Sequence, residues 1–147
     1  MSTTTTTVTS IHAPAKVAGA AAPLYASQPA AGFPAPGDDM VEESLDIHSL
    51  VVKNPTATFF VRVQGDSMEG AGIYSGDVLV VDRATQPREG SIVVAAVFGE
   101  LVVKRVRQTS GQLTLVSEQA GYDPIVVSQH EECYIWGVVV GSVRKFV

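Results

Sequence analysis

Short segments rich in β-branched and aromatic residues recur along the chain from residue 58 onward. Turns containing glycine, aspartate or proline separate them, and few show the period of an amphipathic helix. Gly99-Glu100 predicts a two-residue hairpin turn with glycine at its first position. The pattern predicts an all-β (mainly β) domain, either a sandwich or a partly closed barrel. The predicted strands cover residues 58–63, 78–81, 91–98, 101–107, 113–116, 125–127 and 134–140.

The composition changes near residue 40. Residues 1–31 are rich in Thr and Ala, contain no acidic residue and have Lys16 as their only Lys or Arg. Small and polar side chains bury too little area to offset the entropy lost on ordering. We therefore expect residues 1–40 to form a flexible arm and residues 41–147 to form the β domain, with a short helix or an irregular start within residues 41–50.

Charge and cysteine content narrow the class of protein. The formal net charge of -5 disfavours non-specific binding to nucleic acid through a basic surface. A single cysteine, Cys133, excludes an intramolecular disulfide and fits a reducing cytosol, so a cytoplasmic protein is expected. No stretch approaches the roughly 18 apolar residues that span a membrane, and the arm lacks the features of a secretory signal. Without metal-ligand spacing or a glycine-rich phosphate loop, we expect neither a metal nor a cofactor.

Gly65-Asp66-Ser67-Met68 follows directly on the strand predicted over residues 58–63. A serine at this point can present its hydroxyl at the edge of a sheet, and the turn can aim a backbone N–H at the same place. The same residue types also make ordinary surface turns. This segment alone leaves both interpretations open.

Lys104 lies inside the strand predicted over residues 101–107. Strand alternation places it with Val102 and Val106 on one face, while Arg105 and Arg107 mark the other face as the wetter one. Burial would lower its pKa, and a neutral amine can accept the proton of a serine hydroxyl. A Ser–Lys pair can then replace the Ser–His–Asp triad. The alternative is a lysine that snorkels at a sheet edge.

Three longer segments resemble the LexA/UmuD group of self-cleaving peptidases. They are residues 63–68, residues 72–73 together with 76–82, and residues 90–104, the last with Gly99-Glu100 before Val102-Val103-Lys104. The resemblance implies the β fold of the LexA/UmuD C-terminal domain. It also implies that Ser67 is the nucleophile, that Lys104 is the general base and that the backbone N–H of Met68 points toward the oxyanion.

In that group the substrate is the protein's own arm. Ala30-Ala31-Gly32-Phe33-Pro34 matches the cleaved region, so the resemblance places the cut between Ala31 and Gly32. Small residues suit this position because they let the backbone approach the serine closely.

The arm distinguishes the branches of the group. LexA and phage repressors carry a DNA-binding domain before the cut, whereas residues 1–31 lack helical periodicity and have one basic residue. We therefore expect no direct sequence-specific DNA binding and no membrane association, and favour the UmuD branch. The resemblance then implies self-cleavage stimulated by a RecA–single-stranded DNA filament. The shortened homodimer would join a UmuC-like Y-family polymerase in error-prone synthesis during the SOS response to DNA damage.

Three other interpretations stay open at this point. A truncated LexA-like or phage-type regulator would also cleave itself. A signal peptidase shares the Ser–Lys chemistry but needs a membrane anchor. A β domain that only binds partners would require Ser67 and Lys104 to lie far apart.

Overall fold

A computed structural model describes residues 4–14, 22–25 and 41–147, with the backbone alone for residues 22–25 and 41–45. Strands dominate it, which confirms the all-β expectation. The strands are β1 (Thr7–His12), β2 (Ala22–Tyr25), β3 (Val41–Leu45), β4 (Thr58–Gln64), β5 (Val78–Asp82), β6 (Ile92–Val97), β7 (Glu100–Thr109), β8 (Gln112–Val116), β9 (Ile125–Val126) and β10 (Cys133–Val143). Helix α1 covers Ile47–Val51, and single 3-10 turns cover Pro55–Ala57, Glu69–Ala71 and Val127–Gln129.

The chain divides into two compact units. Residues 15–53 make the smaller one, in which β2 and β3 pair antiparallel and the Asp46 side chain caps α1 by accepting the His48 N–H. The helix or irregular start expected within residues 41–50 is thus a strand followed by a short helix. The larger unit consists of residues 1–14 together with residues 54–147.

An eight-stranded sheet with order β1-β4-β5-β10-β6-β7-β8-β9 forms the larger unit. Strand β1 pairs antiparallel with β4 along most of its length, and Thr7 also pairs with Val102 of β7. Six strands therefore close into a ring, in the order β1, β4, β5, β10, β6 and β7. Of the two architectures expected, this is the partly closed barrel.

Strand β1 differs from the flexible arm expected over residues 1–40. Thr7–His12 pairs with β4, with Val8 opposite Val63 and Ile11 opposite Val61. Small side chains bury little area, but the edge of β4 that β5 leaves unpaired offers hydrogen bonds to an extended, β-branched segment.

Two groups of buried apolar residues lie on opposite faces of the sheet. At β7, Val103 belongs to one group, and Val102 and Val106 belong to the other. Val103 is fully buried, although the sequence pattern placed it on the wetter face with Arg105 and Arg107. The centre of β7 is therefore dry on both faces, which is the environment that Lys104 shares.

The turn between β6 and β7 lies one residue earlier than expected. Val97 pairs with Glu100, so Phe98 and Gly99 are the two turn residues, and their φ angles are 49° and 84°. Positive φ at both positions is the type I′ geometry that fits the twist of a hairpin. Gly99 thus takes the second position rather than the first.

Candidate active site

Ser67 lies in the turn that leaves β4. Gly65 turns the chain with a φ of 106°, and the 3-10 turn Glu69–Ala71 follows. The serine is 0% exposed and its neighbour Met68 is fully buried. This burial distinguishes the segment from an ordinary surface turn.

Lys104 lies at the centre of β7 and is 5% exposed. Its Nζ donates a hydrogen bond of 2.7 Å to Ser117 Oγ and lies 5.0 Å from the centre of the Tyr122 ring. Burial disfavours the ammonium and lowers the pKa of Lys104 below its ordinary value. The side chain therefore does not snorkel to solvent.

Two sets of hydrogen bonds link Ser67 to residues around Lys104. Thr6 donates its N–H to Ser67 Oγ at 2.8 Å and accepts the N–H of Val103, the residue before Lys104, at 2.9 Å. On another side, the Ser67 carbonyl accepts the N–H of Glu118 at 3.1 Å, while Lys104 binds the adjacent Ser117. The two residues picked out in the sequence thus share neighbours in the fold.

Two backbone N–H groups converge on one carbonyl oxygen beside Ser67. The amides of Asp66 and Ser67 donate to Thr4 O at 2.9 and 3.0 Å. Donors at this distance from a single oxygen, next to a hydroxyl, have the geometry of an oxyanion hole. The sequence had suggested the amide of Met68 for this role, and that suggestion stays a prediction.

Thr4, Thr6 and Ser117 were not predicted from the sequence. The run of β-branched residues from Thr3 to Thr9 was a signal for a strand, but nothing in it indicated a partner. Ser117 follows the last residue of β8, and only the pairing of β7 with β8 brings it near Lys104.

Ala31 and Gly32 lie outside the described residues, so the cleavage site stays a prediction. In the described part of the chain, no group of three or more His, Cys, Asp or Glu side chains could hold a metal ion. None of the helices described there is long and apolar enough to cross a membrane.

The sequence profile of the peptidase S24-like family matches residues 23–140. The chain belongs to the peptidase S24-like family. Its match covers β4 to β8 and most of β10, including both Ser67 and Lys104. Strand β1 lies before the matched residues.

Individual S24-like relatives agree with this assignment. The chain is 42% identical over 124 residues to protein SamA of Salmonella typhimurium, and the aligned residues cover 84% of this chain and 86% of that protein. It is 38% identical over 120 residues to protein MucA of Escherichia coli, covering 82% of each. It is 40% identical over 119 residues to the LexA repressor of Shewanella sediminis, covering 80% of this chain and 57% of the repressor. These relatives confirm the resemblance to the LexA/UmuD group.

Proposed function

We propose that this chain is a self-cleaving serine endopeptidase of the UmuD type, with Ser67 and Lys104 as its catalytic dyad. The observation that carries the proposal is that Ser67 and Lys104 are both buried and are linked through the same neighbours. Thr6 bonds to Ser67 and to Val103, which precedes Lys104, while Lys104 bonds to Ser117 and Ser67 to the adjacent Glu118. The 5% exposure of Lys104 and the lowering of its pKa by burial also support a catalytic role over binding alone.

The proposed reaction breaks the peptide bond between Ala31 and Gly32. Ser67 Oγ attacks the carbonyl carbon of Ala31 while its proton passes to the neutral Nζ of Lys104. Backbone N–H groups bind the oxyanion that forms, and the amides of Asp66 and Ser67 are placed to do so. As the C–N bond breaks, Lys104 returns the proton to the amine of Gly32. Lys104 then deprotonates a water molecule, whose oxygen attacks the ester carbon on Ser67. As the ester C–O bond breaks, Lys104 returns the proton to Ser67 Oγ and the Ala31 carboxyl group is released.

The biological role is proposed from the relatives. The shortened homodimer joins a UmuC-like Y-family DNA polymerase in the cytoplasm, and a RecA–single-stranded DNA filament stimulates the cut during the SOS response. The support is the similarity to SamA and MucA across more than four fifths of the chain. No cofactor enters the reaction as written.

Three variants test the dyad and the cut. Ser67→Ala removes the nucleophile, and Lys104→Arg keeps the positive charge but cannot act as a base, because arginine stays protonated. Each should lose at least about 1,000-fold in self-cleavage, measured by intact mass at alkaline pH. Gly32→Glu should block the cut because a bulky residue holds the Ala31 carbonyl away from Ser67.

The wild-type product should begin at Gly32. A product with another N-terminus would move the cleavage site, and efficient cutting by Lys104→Arg would refute the role of Lys104. Circular dichroism of each variant serves as the control that the β fold is intact.

A self-cleaving regulator is the second candidate, and the match to a LexA repressor favours it. Binding assays separate the two. The UmuD-type protein should bind a Y-family polymerase and show no preference among DNA sequences, whereas a regulator should bind operator DNA through further residues.

A further inference from the structure

Residues 4–6 lie across Ser67 in the manner of a bound peptide. Thr4 O accepts the N–H groups of Asp66 and Ser67, Thr6 N donates to Ser67 Oγ, and Thr6 O accepts the N–H of Val103. Each bond uses a main-chain group of residues 4–6, and the partners lie on both walls of the cleft, the β4 turn on one side and β7 on the other. Such bonds hold an extended segment whatever its sequence.

The cleft also fits this segment closely. Thr6 is 0% exposed, and Thr4 N donates to the Asp66 carboxylate at 2.6 Å. A Cβ at Gly65 would lie 2.4 Å from Thr5 O and 2.9 Å from the Cα of Thr6. Glycine at this position is therefore what lets the peptide backbone come so near to Ser67.

The bound segment holds Ser67 in an inactive arrangement. The Ser67 hydroxyl donates to Thr6 Oγ1 at 3.1 Å and accepts the Thr6 N–H, while the Lys104 amine donates to Ser117. A serine becomes a nucleophile when its hydroxyl donates to its base. A substrate carbonyl must also lie about 3 Å from the serine oxygen, in space that residues 4–6 fill.

We propose that the cleft between Gly65–Ser67 and Val103 is a binding site for an extended peptide segment, and that residues 4–6 of this chain occupy it at rest. They must leave before the segment around Ala31 and Gly32 can enter, so residues 4–6 inhibit self-cleavage by competition. This part rests on the proposed function. The ligand class is an extended peptide with a small or β-branched residue at the position of Thr6, since that side chain is enclosed.

One substitution and a matched control test the competition. Thr6 is fully buried, so Thr6→Arg would bury a long charged side chain in the cleft. That burial is unfavourable, so residues 4–6 should leave the cleft. Thr9→Arg makes the same change three residues later, at a position exposed to solvent. Both are made in the full chain.

Hydrogen exchange measures the binding of residues 4–6 without any need for catalysis. Peptides covering residues 4–12 should exchange faster in Thr6→Arg than in the wild type or in Thr9→Arg. Equal exchange in all three proteins would overturn the assignment of residues 4–6 to the cleft.

Two further measurements decide the competition. Self-cleavage at alkaline pH should be about tenfold faster in Thr6→Arg, if the segment occupies the cleft in about nine molecules of ten. A labelled synthetic peptide covering residues 27–36 should likewise bind about tenfold more tightly to Thr6→Arg than to Thr9→Arg.

Equal peptide affinities of Thr6→Arg and Thr9→Arg would overturn the competition, even if none of the proteins cleaves itself. If the affinities differ as expected but no protein cleaves itself, only the proposed function is refuted. A wild-type product cut between Thr4 and Thr5 would make the segment a substrate and overturn its inhibitory role.

Discussion

At the scale of single residues, the environment of Lys104 determines the pH dependence expected of the proposed mechanism. The amine is enclosed by β7, Ser117 and the Tyr122 ring, and its pKa is lowered because burial penalises the ammonium. In the proposed mechanism Lys104 acts as a base only when neutral, so a lower pKa would make a larger fraction of it active at a given pH.

We expect the rate of self-cleavage to rise with pH and to reach half its maximum below about 10.4, the pKa of a solvated lysine. Initial rates measured between about pH 6 and pH 11 check this. The fraction of protein that stays folded at each pH is the control for unfolding. A rate independent of pH, or a midpoint at or above that of a free lysine, would contradict a buried lysine base.

Local patterns singled out Ser67 and Lys104: a Gly-Asp-Ser turn after a strand, and a lysine between valines. The resemblance to the LexA/UmuD group implied their roles, which stay predictions. Thr6 and Ser117 could not be found in the same way. Their importance comes from hydrogen bonds with residues far along the chain, and local patterns carry no information about such pairing.

At the scale of elements, β10 has a register shift against β6 and, next to it, a glycine whose backbone lies very close to β5. Its register with β6 shifts between Ile135 and Gly137, which lets Trp136 pack 5.4 Å from the Phe59 ring and 4.5 Å from the Arg83 guanidinium. Gly137 is buried beside Val81. A Cβ on Gly137 would lie 2.5 Å from Val81 Cγ1 and 3.2 Å from Arg83 Cγ.

Gly137→Ala should therefore overpack the sheet and lower the free energy of unfolding by about 1–3 kcal/mol. Urea denaturation measures the change, and Ser142→Ala, at an exposed position of the same strand, is the control. An alanine variant as stable as the wild type would mean that Val81 can move aside.

Strand segments were predictable from their β-branched runs, and β4 to β8 and β10 lie where those runs lie. The order of the strands was not. Nothing local indicates that β10 lies between β5 and β6, or that β1 lies between β4 and β7. The hairpin turn lies one residue earlier than predicted because Phe98 has a positive φ, which is uncommon for phenylalanine, so Gly99 was assigned the first turn position instead of the second.

At the scale of the whole larger unit, one ion pair connects the end of the chain to the turn before β5. Arg144 donates from Nε and Nη2 to the two oxygens of Asp77 at 2.7 and 2.8 Å, and its guanidinium stacks over the Tyr74 ring. Asp77 is almost fully buried, and the hydrogen bond from Arg144 lowers its pKa, with the Tyr74 N–H adding to the effect.

Because the folded-state pKa of Asp77 is lowered, its stabilising effect is present above about pH 3.9 and is lost as the pH falls through the folded-state value. Asp77→Asn should lower the free energy of unfolding at pH 7 by about 1–3 kcal/mol, and the difference from wild type should shrink in acid. Urea denaturation at several pH values tests this. Asp123→Asn, at an exposed position, is the control, and a loss of stability that is the same at every pH would refute the linkage.

The closure of the ring by β1 has a consequence for how the protein is made. Thr6 and Ser67 are separated by 61 residues, and Val103 lies further still along the chain. Contacts of such long range form late in folding, because a large loop must close before they stabilise anything. During synthesis the first strand leaves the ribosome long before either of its partners. The surroundings of Ser67 are therefore completed only after Val103 has left the ribosome, although residues 4–6, which contact Ser67, are made first.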